Sequence, residues 1–169
     1  YPFGAAFVPE GTGVLLNDEM DDFSAQIGAA NVYDLVGNEA NAIAANKRPL
    51  SSMSPTFIEN NDKLMVIGTP GGSRIITMVL LGILDFVDGK NANEIVQTPR
   101  FHHQYLPDAI QLENSGFSDD ELEELKQRGH QIKQLSRQYG NMQLVIQNKK
   151  SKALTAASDP RGEGLSIVQ

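Results

Sequence analysis

"LMVIGTPGGSRIITMVLLGILDFV", Leu64 to Val87, runs from an apolar segment through a glycine-rich turn into a second, longer apolar segment. The order predicts a strand, a tight turn and then a helix over 73–87. Polar positions in that helix are few, so it is expected to be buried on most faces. Gly71 and Gly72 would then present two consecutive amide protons at the helix N-terminus, a cradle suited to a carboxylate, a phosphate or a transient oxyanion. The turn has neither the spacing nor the lysine of a nucleoside-triphosphate loop, and lacks the glycine intervals of a dinucleotide fingerprint. Taken alone, it is better read as a plain strand-to-helix turn, since such turns favour Pro-Gly.

Working outward, "SPTFIEN" and "KLMVIG" around "ND" read as a hairpin, and "GTGVLLND" (Gly11 to Asp18) as a short strand between turn residues. "DEMDDFSA" is an acidic connection of about one helical turn, followed by a long loop rich in small residues, a length usually found in functional or disordered segments. "NANEIVQTP" predicts a short helix stopped by Pro99. "HHQYL" and "AIQLEN" predict strands around Pro107 and Asp108. "SDDELEELKQRGH" is a helix with a Ser118–Glu121 capping box and Gly129 at its stop. "QIKQLS", "MQLVIQ" and "KALTAAS" close the chain as strands, with "NKKS" as a turn. The expected class is α+β with several antiparallel pairings, in a single domain over 1–169.

The 169 residues carry 14 basic and 21 acidic side chains, a net charge of −7 that argues against nonspecific nucleic-acid binding. Cysteine is absent, which excludes disulfides, thiol catalysis and cysteine-based zinc sites. The longest apolar run, Ile75 to Val87, contains Asp85 and is too short to cross a bilayer. The chain opens on "YPFG" without an initiator methionine, as expected of a processed product or a cut piece.

Two further clusters bear on chemistry. "NKRPLSSMSPT" (Asn46 to Thr56) places Ser51, Ser52 and Ser54 beside two cations, and adjacent hydroxyls with free amides suit a carboxylate. "LLNDEMDDFS" (Leu15 to Ser24) offers Asp18, Glu19, Asp21 and Asp22, which could hold an ammonium group or a hard metal, although the glycine of a calcium loop is missing. Alone, the first is better read as a loop with cap-forming serines and the second as a solvated acidic loop. Together, acids for an amine, hydroxyls for a carboxylate and amides for an oxyanion would form a receptor for an amino-acid head group. "RFHHQ" suggests a metal pair, but adjacent histidines in a strand point to opposite faces. His102 and His103 are read as structural, and "DPR" (Asp159 to Arg161) as a turn with a local ion pair.

"GTGVLLNDEMDDFS", "NKRPLSSMSP", "GTPGGSRI", "PRFHHQYLPD" and "ASDPR" resemble, in this order, segments of the small subunit of γ-glutamyltranspeptidases, enzymes that cleave glutathione and other γ-glutamyl compounds. The resemblance runs from Gly11 to Arg161. It implies the αββα sandwich of N-terminal-nucleophile hydrolases and a precursor that cuts itself into large and small subunits. An N-terminal Thr on the small subunit would attack the γ-glutamyl carbonyl, with its own α-amine as base. The acyl-enzyme would pass to water, or to an amino acid or peptide acceptor. No metal or cofactor is implied, and bacterial members are commonly periplasmic or secreted.

By motif, the resemblance assigns Glu19 and Asp22 to the substrate ammonium, and Ser51 and Ser52 to its α-carboxylate. Gly71 and Gly72 take the oxyanion, and the loop from Gln26 to Gly37 becomes a lid with Tyr33 as its gate. Many bacterial members carry Gln where Glu19 stands. The Thr-Thr-His start of the family's small subunit has no counterpart here. The chain therefore resembles a small subunit without about its first twenty residues, the length of two short strands and a turn, and is expected to be inactive alone. The large subunit is the implied partner, and unpaired sheet edges favour self-association. Alternatives are a non-catalytic amino-acid- or anion-binding module, or a family member acting as a cephalosporin acylase or poly-γ-glutamate depolymerase.

Overall fold

The computed structural model describes residues 4–114 and 116–169, which fall into two compact units, Tyr1–Ser51 and Ser52–Gln169. The first unit is mostly irregular. It contains two short 3-10 turns, Glu19–Asp22 and Glu39–Asn41, and isolated bridges pairing Ser24 with Ala42 and Ala30 with Val36. Phe23 is buried in it. The strand expected over Gly11–Asp18 does not form. Leu16 pairs with the Phe7 and Ala5 main chains, while Thr12 and Asp18 bond locally to Pro9 and Asp21 in turns. Val14, Leu15 and Leu16 all remain exposed, so among the described residues no sheet neighbour selects one face of the segment.

The second unit carries the regular structure. Strands β1 (Thr56–Glu59), β2 (Lys63–Gly68), β6 (Gln143–Asn148) and β7 (Leu154–Ser158) form an antiparallel sheet in the order β1-β2-β6-β7. Period-two alternation sends Met65 and Ile67 of β2, and Leu144 and Ile146 of β6, to one face. Helices α1 (Arg74–Val87) and α2 (Ala92–Gln97) cover that face, and Met78, Val79, Phe86, Ile95 and Val96 complete the core. α1 approaches the sheet closely at Gly82, where a Cβ would lie 2.4 Å from Ile67 Cδ1. α2 is started by a capping box between Asn91 and Glu94.

α1 corrects the expectation of burial on most faces. Ile75, Met78, Val79, Gly82 and Phe86 form the buried stripe, but Ile76, Leu80, Leu84 and Val87 lie exposed on the opposite side. The apolar composition was read correctly; a helix lying on a single sheet has only one side to bury.

A smaller sheet joins β3 (Phe101–His102), β4 (Ile110–Leu112) and β5 (Ile132–Gln134), with β3–β4 antiparallel and β4–β5 parallel. α3 (Asp119–Gln127) leads into β5, and its expected Ser118–Glu121 capping box is formed. Among the described residues no helix is long and apolar enough to cross a membrane.

Candidate active site

β2 ends at Gly68, and the chain turns through Thr69–Ser73 into α1. Gly71 has φ 149° and Gly72 φ 58°, conformations that favour glycine, and a Cβ on Gly71 would meet Met78 Cε at 2.6 Å. The carbonyls of Gly71 and Gly72 accept from Arg74 and Ile75 and so start the helix. Neither glycine gives its own N–H to another of the described residues. Two adjacent, undonated amides thus precede the positive end of a 14-residue helix.

The register places other predicted residues at this same end of the sheet. Thr56, which opens β1, lies opposite Ile67 of β2, so the segment entering β1 from Ser52 reaches the hairpin end from which the glycine turn leaves. Ser54 Oγ donates to the Ser52 carbonyl at 3.1 Å, and Thr56 Oγ1 to the Ser54 carbonyl at 2.9 Å, a hydroxyl ladder that shapes this entry. Gly68 pairs with Gln143 and Gln143 with Ser158, which brings Asn141 and Asp159 to that end as well.

The first unit holds Glu19, Asp22, Tyr33 and Ser51; the unit boundary falls between Ser51 and Ser52. Glu19 and Asp22 occupy the 3-10 turn with exposed side chains, and Asn17 Oδ1 accepts the Glu19 N–H at 3.1 Å. Asn41, which the sequence reading passed over, ties this turn to the serine loop. Its Nδ2 donates to the Asp22 carbonyl at 2.7 Å, its Oδ1 accepts the Leu50 N–H at 3.0 Å, and its own carbonyl accepts the Ser24 N–H at 2.9 Å. Leu50 directly precedes Ser51, so within this unit the acids and the first serine are fastened through one amide side chain. A surface depression is lined by Asn17, Asp18, Met20 and Asp21 with Gly4–Ala6; Glu19 and Asp22 are not among its walls. Tyr33 sits in a compact turn in which Asn31 Oδ1 accepts both the Tyr33 and Leu35 amides.

Behind the glycine turn lies a buried ion cluster. Asp159 Oδ2 accepts from Arg100 Nη2 at 2.6 Å, Asp159 Oδ1 from Arg161 Nη1 at 3.1 Å, and Glu113 Oε2 from Arg161 Nη2 at 2.6 Å. The "DPR" turn and its local pair are present, but Arg161 also reaches across the fold to Glu113. All four side chains are essentially removed from solvent, and two positive charges balance two negative ones. Burial and the neighbouring Arg161 pull Arg100 below the usual guanidinium value, yet a guanidinium stays charged in a protein. Burial also works against the Asp159 carboxylate, but N–H bonds from Met142 and Arg161 and the Arg100 charge together hold it below its ordinary value.

The cluster organises the segment before β6. Glu113 Oε1 accepts the Tyr139 N–H at 3.1 Å, Arg100 Nη1 donates to the Tyr139 carbonyl at 2.7 Å, and Asp159 Oδ2 accepts the Met142 N–H at 2.8 Å. Between these ties, Asn141 N–H donates to Thr69 Oγ1 at 3.3 Å, and Arg74 lies 4.7 Å over the Tyr139 ring. Burial, reinforced by the Glu113 charge, pushes the Tyr139 hydroxyl up to about 12.

The two histidines diverge as expected, although β3 ends at His102 and the strand expected over "HHQYL" does not continue through His103. His102 is buried and bonded to Thr77 and Gln104, while His103 is exposed and paired with Asp108 at 2.8 Å. Burial lowers His102 below the usual imidazole value, with Arg74 and His103 adding to the shift against the Gln104 bond. Among the described residues no three or more His, Asp or Glu side chains converge as a metal centre.

A family model described as Gamma-glutamyltranspeptidase matches residues 1–168. The chain belongs to the γ-glutamyltranspeptidase family. It is 48% identical over 161 residues to the glutathione hydrolase proenzyme of Escherichia coli, covering 94% of this chain and 27% of that protein. The corresponding proenzyme of Pseudomonas aeruginosa is 44% identical over 174 residues, covering 99% and 30%. A solved acivicin-inhibited γ-glutamyltranspeptidase superimposes with a TM-score of 0.88 at 46% identity, over 96% of this chain and 88% of that one. The chain thus spans under a third of the length of these curated relatives. As a member of this family it has the α+β fold of the N-terminal-nucleophile αββα sandwich, to which it contributes a four-stranded sheet with helices on one face.

Proposed function

We propose that this chain supplies the substrate-binding and oxyanion-stabilising part of an enzyme that hydrolyses and transfers γ-glutamyl groups, glutathione among its substrates. The observation that carries the reading is the pair of undonated amides at Gly71 and Gly72, just before the N-terminus of α1. A carbonyl oxygen under nucleophilic attack gains a full negative charge. Two preorganised N–H donors favour that charge over the neutral ground state, and removing one such donor typically costs about 10²–10³ in rate. Glu19 and Asp22 receive the substrate α-ammonium, Ser51 and Ser52 its α-carboxylate, and the loop from Gln26 to Gly37 acts as a lid with Tyr33 as its gate. The nucleophile is an N-terminal Thr upstream of Tyr1 in the complete protein. Its Oγ adds to the γ-carbonyl, the amine leaves with a proton, and water or an acceptor amine then releases the glutamyl group. No cofactor enters this scheme. The large subunit of the same precursor completes the site, and the enzyme acts in the periplasm or outside the cell.

The test is turnover of γ-glutamyl-p-nitroanilide by the complete gene product, with and without an acceptor dipeptide. Asp22→Ala should raise KM strongly while leaving kcat much less changed, because the ammonium loses its partner in both ground and transition states. A complete protein that releases no p-nitroaniline, or an Asp22→Ala variant with unaltered KM, would remove the assignment.

A further inference from the structure

Ser73, the residue after Gly72, stands at the N-cap of α1, yet its side chain makes no capping bond and its backbone is already helical. Serine at this position ordinarily accepts an amide of the first turn. Here its Oγ donates instead to Gln104 Oε1 at 2.9 Å. Gln104 Nε2 donates to the Leu106 carbonyl at 2.6 Å, which fixes the amide so that its oxygen faces Ser73. His102 Nε2 lies 2.9 Å from the same oxygen, and an amide oxygen only accepts, so His102 carries its proton on Nε2. Its Nδ1 is then the acceptor for Thr77 Oγ1 at 2.9 Å. Every proton in the chain is thereby placed: Thr77 to His102, His102 to Gln104, and Ser73 to Gln104.

The glycine turn is thus tied at both ends. Thr69 is fastened to Asn141 and Ser73 to Gln104, while the two residues between Pro70 and Ser73 are glycines, the residue type with the most backbone freedom. A cradle made of such residues is preorganised only as far as its ends are fixed. We propose that Gln104, oriented by His102, is a positioning residue for the Gly71 and Gly72 amides, acting through the Ser73 hydroxyl. The proposal rests on the reading that these amides hold the oxyanion.

The experiment uses the complete protein and γ-glutamyl-p-nitroanilide, with rates expressed per active site counted from covalent labelling by a glutamine-analogue inactivator. Counting sites separates a misaligned cradle from a smaller folded fraction. Gln104→Leu and Ser73→Ala should each lower kcat and kcat/KM together by about 10- to 100-fold with KM little changed, because small misplacements of a catalytic group cost up to about 10². The double variant should lose no more than the worse single one, and Ser73→Thr, which keeps the hydroxyl, should recover most of the rate. The proposal is overturned if both single variants keep kcat per site within twofold, if the change falls on KM alone, or if the two losses multiply. In those cases a wild-type enzyme that still turns over leaves the broader reading standing. Gly72→Ala with an unaltered kcat per site would instead sink the oxyanion assignment, and a wild type that turns over nothing sinks both.

Discussion

Asp159→Ala is the sharpest test of the buried cluster. The carboxylate accepts four bonds: Arg100 Nη2 at 2.6 Å, Met142 N–H at 2.8 Å, Arg161 N–H at 3.0 Å and Arg161 Nη1 at 3.1 Å. Removing it leaves two buried guanidinium groups facing one carboxylate, Glu113, in a site from which water is excluded. Breaking a buried pair in this way costs about 3–5 kcal/mol. At roughly 1.4 kcal/mol per decade, amide exchange in the 139–142 segment should speed up by about two to three and a half orders of magnitude. The melting temperature should fall by roughly 6–20 °C, taking about 2–4 °C per kcal/mol for a domain of this size. Asp159→Asn keeps an acceptor oxygen but not the charge, and should fall between the two. The assay is hydrogen–deuterium exchange of the complete protein, comparing peptides over 139–143 with peptides over α3 as an internal reference. Exchange at 139–142 within threefold of wild type, with an unshifted melting point, would refute the claim that the cluster holds this segment.

Three more outcomes are expected. The purified 169-residue chain should not turn over γ-glutamyl-p-nitroanilide, since the proposed nucleophile lies outside it; measurable release would show that another group attacks. Asn41→Leu in the complete protein should raise KM about 10-fold or more with kcat nearly retained, because the acid turn and Leu50 lose their common tie; steady-state kinetics decides, and an unchanged KM would detach Asn41 from substrate binding. His102 is held below its ordinary value by burial, so the unfolded chain binds the extra proton first as pH falls. Its contribution to stability is complete above about pH 6.5 and declines below it. Urea midpoints of wild type and His102→Gln should therefore converge between pH 7.5 and 5; a constant gap would contradict the assignment.

What could be read from the sequence follows from the range over which each signal acts. The β1–β2 hairpin, α1, α2 and α3 obey local rules: alternation, the Asn91 and Ser118 caps, and a stop before Pro99. The glycine turn was legible because both of its unusual φ angles fall on glycine. The ties that hold it were not. Ser73 and Gln104 are 31 residues apart, Arg161 and Glu113 are 48 apart, and Arg100 and Asp159 are 59 apart, so no periodicity links them. Asn41, 19 residues from Asp22, was hidden in a loop with no repeating pattern. Gly11–Asp18 was misread because its composition suits a strand while, among the described residues, no strand pairs with it.

The four-stranded sheet has a second side. Register aligns Phe57, Val66, Val145 and Ala156 in one row across β1, β2, β6 and β7, facing away from the helices, with Phe57 73% exposed. With neighbouring strands about 4.8 Å apart, the row is a greasy strip roughly 14 Å long. Water tolerates such a strip poorly, and sulfate or phosphate buffers sharpen its intolerance. Colloidal behaviour, more than melting temperature, will therefore set how this polypeptide can be handled: mild detergent and modest salt should keep it dispersed where a salting-out buffer clots it.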